Sequence, residues 1–216
     1  MIRCVLWDND GTILDTTELI LESYIRAIEG VLGIEATAEE ALAQFGKPLR
    51  DVMELYSVER AEELMDAYRD HNHEFHDEMI RPFPGILDAL ANVRRRGLAQ
   101  GVVTSKTEWL TRQGLELFGL EGYIQELVGF ESTEGHKPGP EPVLEALKRL
   151  DIDNGEALFI GDSEADAFCA QNAGVDFAFA RWGPNPNLAE ELPARWIFDD
   201  PRDVLRVIPD RVDLRF

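Results

Sequence analysis

Short apolar runs that alternate with helical stretches restrict most strongly how this chain can fold. The runs are rich in Val, Ile and Phe, as expected of strands that are buried on both faces of a parallel sheet. They lie at residues 2–7, 99–104, 126–130, 157–161 and 177–180, with a weaker sixth run at 196–198. Helical patterns between them cover residues 84–97, 107–119, 140–151 and 163–174. This alternation predicts an α/β fold, a Rossmann-like parallel sheet core with helices on both faces.

One connection in this pattern is much longer than the others. Residues 8–98 separate the first predicted strand from the second, whereas a crossover normally needs a few dozen residues at most. Residues 16–80 show no convincing strand, but they carry helical periodicity at 16–33, 38–46 and 60–77. The sequence therefore predicts an α/β core formed by residues 1–15 and 81–216, with a helical cap, residues 16–80, inserted after the first strand.

The charge balance restricts the partners of the protein. The 216 residues include 42 acidic and 21 basic side chains, and the formal net charge is −21. Binding to a nucleic-acid backbone requires the opposite sign, so no nucleic-acid partner is expected. Either salt adaptation or high solubility alone accounts for such an acidic surface. An anionic substrate has to enter a negatively charged molecule, so its site needs concentrated positive charge of its own.

The sequence gives no sign of a membrane or secreted protein. No window approaches 18 uninterrupted apolar residues, and the segment MIRCVLWD turns acidic too soon for a secretory signal. We therefore expect no membrane partner and a cytoplasmic location. Cys4 and Cys169 lie in apolar patterns and are expected to be buried thiols rather than a disulfide.

Polar side chains follow the predicted strands at the edge where an open parallel sheet binds its ligands. In chain order these are Asp8 and Asp10, Thr104 and Ser105, Lys137 in the loop after the third strand, and Asp162, Ser163 and Asp166. Carboxylates about 4 Å apart repel each other by roughly 4 kcal/mol at an effective dielectric constant near 20. A hard divalent cation reverses this repulsion, and oxygen ligands with positions left for water suit Mg²⁺. The sequence therefore predicts that these aspartates share a magnesium ion.

Four segments at these strand ends form a recognisable set of motifs. They are DNDGT at 8–12, VVTSK at 102–106, KPGPEP at 137–142 and GDSEADAFCAQNAG at 161–174. In order and spacing they resemble the four motifs of the haloacid dehalogenase superfamily of phosphatases and phosphotransferases: D-x-D-G-T, a strand ending in Thr or Ser, K-P-x-P, and G-D-S-x-x-D. The resemblance covers essentially the whole chain.

The resemblance implies a role for each acidic residue. Asp8 would be the nucleophile that takes the phosphoryl group as an aspartyl-phosphate. Asp10 would protonate the leaving oxygen and then take a proton from the water that hydrolyses the intermediate. Mg²⁺ would be held by Asp8, the backbone carbonyl of Asp10 and Asp162. Asp166 would either help to hold the metal or stabilise the N-terminal turn of its helix.

The remaining site residues are implied in the same way. Thr104 would hydrogen-bond a phosphoryl oxygen, and Lys137 would supply the positive charge. A further set is assigned to substrate binding: Gly11, Thr12, Ser105 and Lys47. For Ser105 the alternatives are a second hydrogen-bond donor or a side chain that faces solvent. Lys47 lies in a Gly- and Pro-containing break at 44–49, where it would contact a substrate carboxylate or second phosphate, or remain an exposed lysine without contact.

The residue two positions after the nucleophile separates the reaction types of this superfamily. The dehalogenases lack an acid there and phosphonoacetaldehyde hydrolases carry Ala, so Asp10 argues against both. Sugar phosphomutases of the β-phosphoglucomutase type keep the acid, but their fourth motif usually reads E-D-S-x-x-G. This chain has Gly161-Asp162-Ser163 with Asp166, which favours hydrolysis.

The chain looks most like phosphoglycolate phosphatase and its relatives, which include a pyrophosphatase; RPFPG at 81–85 and RWG at 181–183 also fit that group. The expected function is that of a Mg²⁺-dependent phosphatase, a phosphoric monoester hydrolase, acting on a small phosphorylated metabolite. The leading substrate is 2-phosphoglycolate, and the alternatives are a sugar phosphomutase and an inorganic pyrophosphatase. The only expected partner is this small-molecule phosphate ester, and the protein is expected to be a monomer or a homodimer.

Overall fold

The computed structural model describes residues 1–42 and 44–210. Its central feature is a six-stranded sheet in which all neighbouring strands are parallel, in the order β5-β4-β1-β6-β7-β8. The strands are β1 (Cys4–Trp7), β4 (Ala99–Val103), β5 (Glu126–Val128), β6 (Ala157–Gly161), β7 (Asp176–Ala180) and β8 (Trp196–Phe198). Each of the six strands predicted from the apolar runs is present, and the predicted α/β fold with a parallel sheet is confirmed.

Two short strands were not predicted from the sequence. They are β2 (Leu14–Asp15) and β3 (Arg81–Pro82), which flank the long insertion along the chain. Two residues are too few to show the alternating or continuous apolar pattern by which a strand is recognised, so the sequence carries no signal for them.

Helices follow the strands of the sheet, as the alternation predicted. They are α5 (Ile86–Arg95), α6 (Glu108–Leu117), α7 (Glu141–Leu150) and α8 (Glu164–Ala173), with 3₁₀ turns at Glu121–Tyr123, Phe130–Ser132, Asn154–Glu156, Pro186–Glu190 and Pro201–Arg206. Side chains of β1 and β6, including Leu6 and Phe159, pack with Val143 and Ala170 of α7 and α8 in one buried cluster. Trp7, the neighbour of Leu6 in β1, points to the opposite face of the sheet. There it donates to Gln100, which in turn donates to the Leu90 carbonyl of α5. The sheet is therefore covered on both faces.

The chain forms two compact units. One consists of Met1–Asp15 with the chain from Pro82 onward, and the other of Thr16–Arg81. Residues 211–216 of the predicted core lie outside the described residues. Cys4 and Cys169 are buried free thiols, as expected. None of the helices in the described part of the chain is both long and apolar enough to span a membrane.

The described residues of the second unit form helices and their connecting loops, apart from Arg81 in β3. The unit contains α1 (Thr17–Leu32), α2 (Ala38–Leu42), α3 (Leu49–Tyr56) and α4 (Ala61–Met79), which bury a core of their own. The helix predicted over 38–46 ends early, because Gly46 adopts a positive φ of 80° and Pro48 precedes the next helix. Helix α3 was not predicted, since it is only eight residues long and begins within the Gly- and Pro-containing break at 44–49.

The buried apolar layer of the sheet should dominate the stability of the first unit. Leu158 in β6 is fully buried, so Leu158→Ala should lower the free energy of unfolding by about 2–5 kcal/mol, through lost burial and the cavity that remains. Leu117→Ala is the matched control, because Leu117 is 46% exposed, and it should change the stability by about 0.5 kcal/mol or less. Urea unfolding followed by circular dichroism measures both, and equal losses would contradict the assignment of Leu158 to the core.

Candidate active site

The carboxyl ends of three adjacent strands bring the predicted site residues together. Strand β1 lies between β4 and β6, so Asp8 after β1, Thr104 after β4 and Asp162 after β6 meet at one edge. Asp8 continues the ladder by donating its N–H to the Ile160 carbonyl at 2.8 Å. The side chains of Asp8, Thr104 and Asp162 are all buried.

Three buried carboxylates lie within reach of one another at this edge. Asp8, Asp162 and Asp166 each present an oxygen, and these oxygens all lie within 4.8 Å of one another. Burial, followed by repulsion from Asp166, raises the pKa of Asp8 to about 7. Burial and then repulsion from Asp8 and Asp166 also raise the pKa of Asp162 well above its usual value. Such a set of hard oxygen donors is suited to a divalent cation.

Lys137 supplies positive charge within the cluster. Its Nζ donates to Asp8 Oδ1 at 2.9 Å and to Asp166 Oδ1 at 2.6 Å, and the side chain is almost fully buried. Burial acts to lower the pKa of Lys137, but Asp166 and Asp8 outweigh burial and hold the pKa above its usual value. Lys137 therefore stays charged and offsets part of the repulsion among the acids.

The structure resolves the contacts of Asp166, for which the sequence left two roles open. Its Oδ2 accepts from the backbone N–H of Ser163 at 3.2 Å and from the Ser163 hydroxyl at 2.6 Å, which forms a capping box at the start of α8. Its Oδ1 accepts from Lys137. Asp166 thus stabilises the helix start and orients Lys137, and its direct binding to a metal stays a prediction.

Asp162 is held in place by the loop that follows β1. The Thr12 hydroxyl is fully buried and donates to Asp162 Oδ1 at 3.0 Å, so its side chain orients this carboxylate. The assignment of Thr12 to substrate binding stays a prediction. Gly11 has a φ of 78°, and a Cβ at this position would lie 2.4 Å from Asp162 Oδ2. Gly183 is equally close, with a Cβ position 2.6 Å from Asp162 Cβ.

The RWG segment at 181–183 contacts the loop that follows β1. The motif by itself did not indicate this role. Trp182 follows β7 and donates its Nε1 to the Thr12 carbonyl at 3.0 Å. A hydrogen bond between residues this far apart in the chain has no local sequence signal.

Asp10 lies at the more open side of the site. Its side chain is 21% exposed, and its Oδ1 accepts from Lys106 Nζ at 3.0 Å and from Asn9 Nδ2 at 3.2 Å. Sequence reasoning did not assign Lys106, although it ends the VVTSK motif and is one of only four lysines in the chain.

The other predicted site residues differ in their surroundings. The Thr104 hydroxyl accepts from the Lys106 N–H at 3.2 Å, so its own hydrogen can be donated to a ligand. Ser105 is exposed, which fits the solvent-facing alternative. Lys47 belongs to the second unit, where it is exposed and donates to Gln44 at 2.9 Å.

Comparison with known proteins identifies the family. Residues 5–180 match the model of a family described as haloacid dehalogenase-like hydrolase. The chain belongs to this family. The four sequence motifs fall within the matched residues, so the resemblance inferred from them is confirmed.

Several relatives of this haloacid dehalogenase-like hydrolase carry the name pyrophosphatase. A protein of Caldanaerobacter subterraneus named "Putative pyrophosphatase PpaX" is 39% identical over 96% of this chain and 94% of its own length. Pyrophosphatase PpaX of Halalkalibacterium halodurans is 32% identical over 99% of this chain and 96% of its own.

Solved structures agree with this fold. A crystal structure from Lactobacillus plantarum, described as a "putative phosphoglycolate phosphatase", has a TM-score of 0.88 and 26% identity, covering 96% of this chain and 100% of that one. A haloacid dehalogenase-like hydrolase from Bacteroides fragilis, 23% identical and matching 94% of this chain and 100% of that one, has the same TM-score and shows the fold alone.

The raised pKa of Asp8 predicts how stability depends on pH in the presence of a chelator. Between pH 5.5 and 8, Asp8 is already ionised in the unfolded chain, whereas in the folded protein its pKa of about 7 delays ionisation. Asp8 therefore lowers the free energy of unfolding by an amount that grows as the pH rises through this window. Asp8→Asn removes that cost and should stabilise the protein by about 2 kcal/mol more at pH 8 than at pH 5.5. Asp199→Asn, at an exposed aspartate paired with Arg181, should show no such difference in urea unfolding. A gain from Asp8→Asn that is equal at the two pH values would contradict the burial of this charge.

The contact between Gly11 and Asp162 gives a second prediction. Gly11→Ala should weaken binding of Mg²⁺ or Mn²⁺ at least tenfold, because the new Cβ would displace the Asp162 carboxylate. Gly119→Ala is the matched control: Gly119 also has a positive φ, but nothing lies within 4 Å of a Cβ there. Both variants should lose about 1 kcal/mol of stability from the strained backbone. Gly11→Ala should lose more, because its Cβ collides with the Asp162 side chain, and only Gly11→Ala should lose metal affinity in a calorimetric titration. Equal metal affinities would show that Asp162 is not a ligand.

Proposed function

We propose that this family member is a Mg²⁺-dependent phosphatase that works through an aspartyl-phosphate on Asp8, with Asp10 as general acid and base. The observation that supports this most strongly is the juxtaposition of the Asp8, Asp162 and Asp166 carboxylates with the buried Lys137 at the ends of β1 and β6. A nucleophile, a cation site and a fixed positive charge are together what phosphoryl transfer requires.

The donor set fits a magnesium site. Asp8 and Asp162 are buried carboxylates whose pKa values are raised partly by repulsion within the cluster. A cation bound between them would offset this repulsion. Asp8, Asp162 and the backbone carbonyl of Asp10 would hold the ion, with Asp166 as a further candidate. Bound there, Mg²⁺ would neutralise the negative charge that the phosphoryl oxygens carry in the transition state.

The residues of the chain would carry out the two chemical steps. In the first step, an Asp8 carboxylate oxygen bonds to phosphorus, the bond from phosphorus to the leaving oxygen breaks, and Asp10 gives its proton to that oxygen. Lys137 would hold the Asp8 carboxylate, and the Thr104 hydroxyl would donate to a phosphoryl oxygen. In the second step, the oxygen of a water molecule bonds to phosphorus while the Asp10 carboxylate takes one of its protons. The bond from phosphorus to the Asp8 oxygen breaks, which releases phosphate and restores the Asp8 carboxylate.

For the substrate we propose inorganic pyrophosphate first and 2-phosphoglycolate second. Pyrophosphate is supported by relatives at 32–39% identity over nearly the whole chain that are named pyrophosphatase PpaX. The phosphate monoester is supported by the sequence motifs and by the 26% identical structure described as a phosphoglycolate phosphatase. The helical unit, Thr16–Arg81, is proposed as the cap that selects among substrates, with Lys47 as a candidate contact.

An activity screen tests this proposal. With Mg²⁺, the purified protein should release phosphate from pyrophosphate or 2-phosphoglycolate faster than from nucleotides, sugar phosphates and p-nitrophenyl phosphate. Asp8→Asn should reduce kcat by at least about 10⁴-fold because the nucleophile is lost, and a chelator should abolish turnover. Asp199→Asn serves as the control and should keep wild-type activity.

Two results would contradict the proposal. If the protein with Mg²⁺ releases phosphate from none of these compounds, the proposed phosphatase activity is wrong. Conversion of a sugar 1-phosphate into a 6-phosphate with little free phosphate, followed by phosphorus NMR, would instead support the mutase that the sequence kept as an alternative.

A further inference from the structure

Lys106 contacts the proposed general acid and has no role in the mechanism above. Its Nζ lies 3.0 Å from Asp10 Oδ1, and the Lys106 side chain is only 10% exposed. Asp10 is the one hydrogen-bond partner of this ammonium group among residues 1–42 and 44–210. A lysine that is nearly buried and aimed at a single catalytic carboxylate is unusual for a surface loop, where lysines are mostly exposed.

The backbone of Lys106 is fixed on both sides, so the position of the ammonium group is set by the fold. Its N–H donates to the Thr104 hydroxyl at 3.2 Å, and its carbonyl accepts from the Phe130 N–H at 2.9 Å. The chain at Gly129 passes so close that a Cβ there would lie 2.9 Å from the Lys106 carbonyl oxygen. These contacts tie the segment after β4 to the segment after β5.

The charges around Asp10 show why it needs such a partner. The negative charge of Asp10 is among the causes that raise the pKa of Asp8, so the two carboxylates repel each other. A partly exposed Asp10 side chain would lower this repulsion by rotating toward solvent. Lys106 opposes that rotation, because a charge-assisted hydrogen bond holds Oδ1 toward the site.

The two oxygens of Asp10 then have separate tasks. Oδ1 accepts from both Lys106 and Asn9. Oδ2 has no hydrogen-bond partner in the part of the chain that the structure describes, so it is the oxygen that can carry a proton to a leaving group. Proton transfer depends steeply on such placement, because the donor must lie within hydrogen-bond distance of the leaving oxygen.

We propose that Lys106 is a positioning residue that holds Asp10 in the orientation required to protonate the leaving group. The inference rests on the proposed phosphatase function. It means that Lys106 matters most for substrates whose leaving group must be protonated, such as alkyl phosphates. It matters least for aryl phosphates such as p-nitrophenyl phosphate, whose leaving group departs as a stable anion.

Leaving-group dependence tests the role of Lys106. Lys106→Met keeps an unbranched side chain that is one atom shorter, and removes its charge. The value of kcat/KM reports the first step, phosphorylation of Asp8. For the best alkyl phosphate of the screen with an uncharged leaving alcohol, kcat/KM should fall about 10–100-fold, mainly through kcat. For p-nitrophenyl phosphate it should fall by less than about 3-fold. Lys106→Gln should behave in the same way.

Lys148→Met is the matched control, since Lys148 is an exposed lysine of α7 that pairs with Glu145. It should leave kcat/KM for both substrates at the wild-type value, and all variants should show the wild-type melting transition. Equal losses on the two substrates would overturn the proposal, because a general phosphate-binding or structural role affects both. A loss confined to pyrophosphate would overturn it as well, since Lys106 would then bind the anionic leaving group directly.

The failure of this inference is distinguishable from failure of the proposed function. If the wild-type protein hydrolyses no phosphate compound, the phosphatase proposal fails and the role of Lys106 fails with it. If the wild-type protein is active and Lys106→Met matches Lys148→Met on both substrates, only the role of Lys106 is wrong.

Discussion

A buried ammonium group between two carboxylates is the interaction on which the site depends. Lys137 reaches Asp8 and Asp166 from the loop after β5, and each of these three side chains is almost fully buried. Without Lys137, the repulsion among the carboxylates of Asp8, Asp162 and Asp166 would lack this compensating charge, in a medium that screens charge poorly. The same contact links the strand end that carries Asp8 to the helix start that is capped by Asp166. Charge compensation and architecture therefore depend on the same three residues.

The protein concentrates its few lysines where an anion would have to enter. The formal charge is −21, yet of the four lysines two, Lys106 and Lys137, lie at the site edge of the sheet. Each is bound to an aspartate that the proposed mechanism uses, so neither acts as a free surface charge. Local positive charge within a negatively charged molecule would favour the binding of a phosphate compound at this edge, as the proposed function requires.

The support of Asp162 illustrates how the fold builds the proposed metal site from distant segments. The loop after β1 approaches this carboxylate through Gly11 and the Thr12 hydroxyl, and the loop after β7 through Gly183. Trp182 then joins the two loops by donating to the Thr12 carbonyl. Loss of a contact that orients a metal ligand typically lowers metal affinity about 10–100-fold. Glycine is required at two of these positions because no space remains for a Cβ.

The sequence by itself determined the six strands, the helices between them and the convergence of Asp8, Asp10, Asp162 and Lys137 at one edge. Apolar periodicity and motif order are local properties, and parallel strands necessarily gather their carboxyl ends. Only the tertiary structure decided which side chains pair: Thr12 with Asp162, and Lys106 with Asp10. It also showed that Asp166 binds both Ser163 and Lys137. Such pairings depend on distances between segments far apart in the chain, and no periodicity or motif spacing encodes a distance between two side chains.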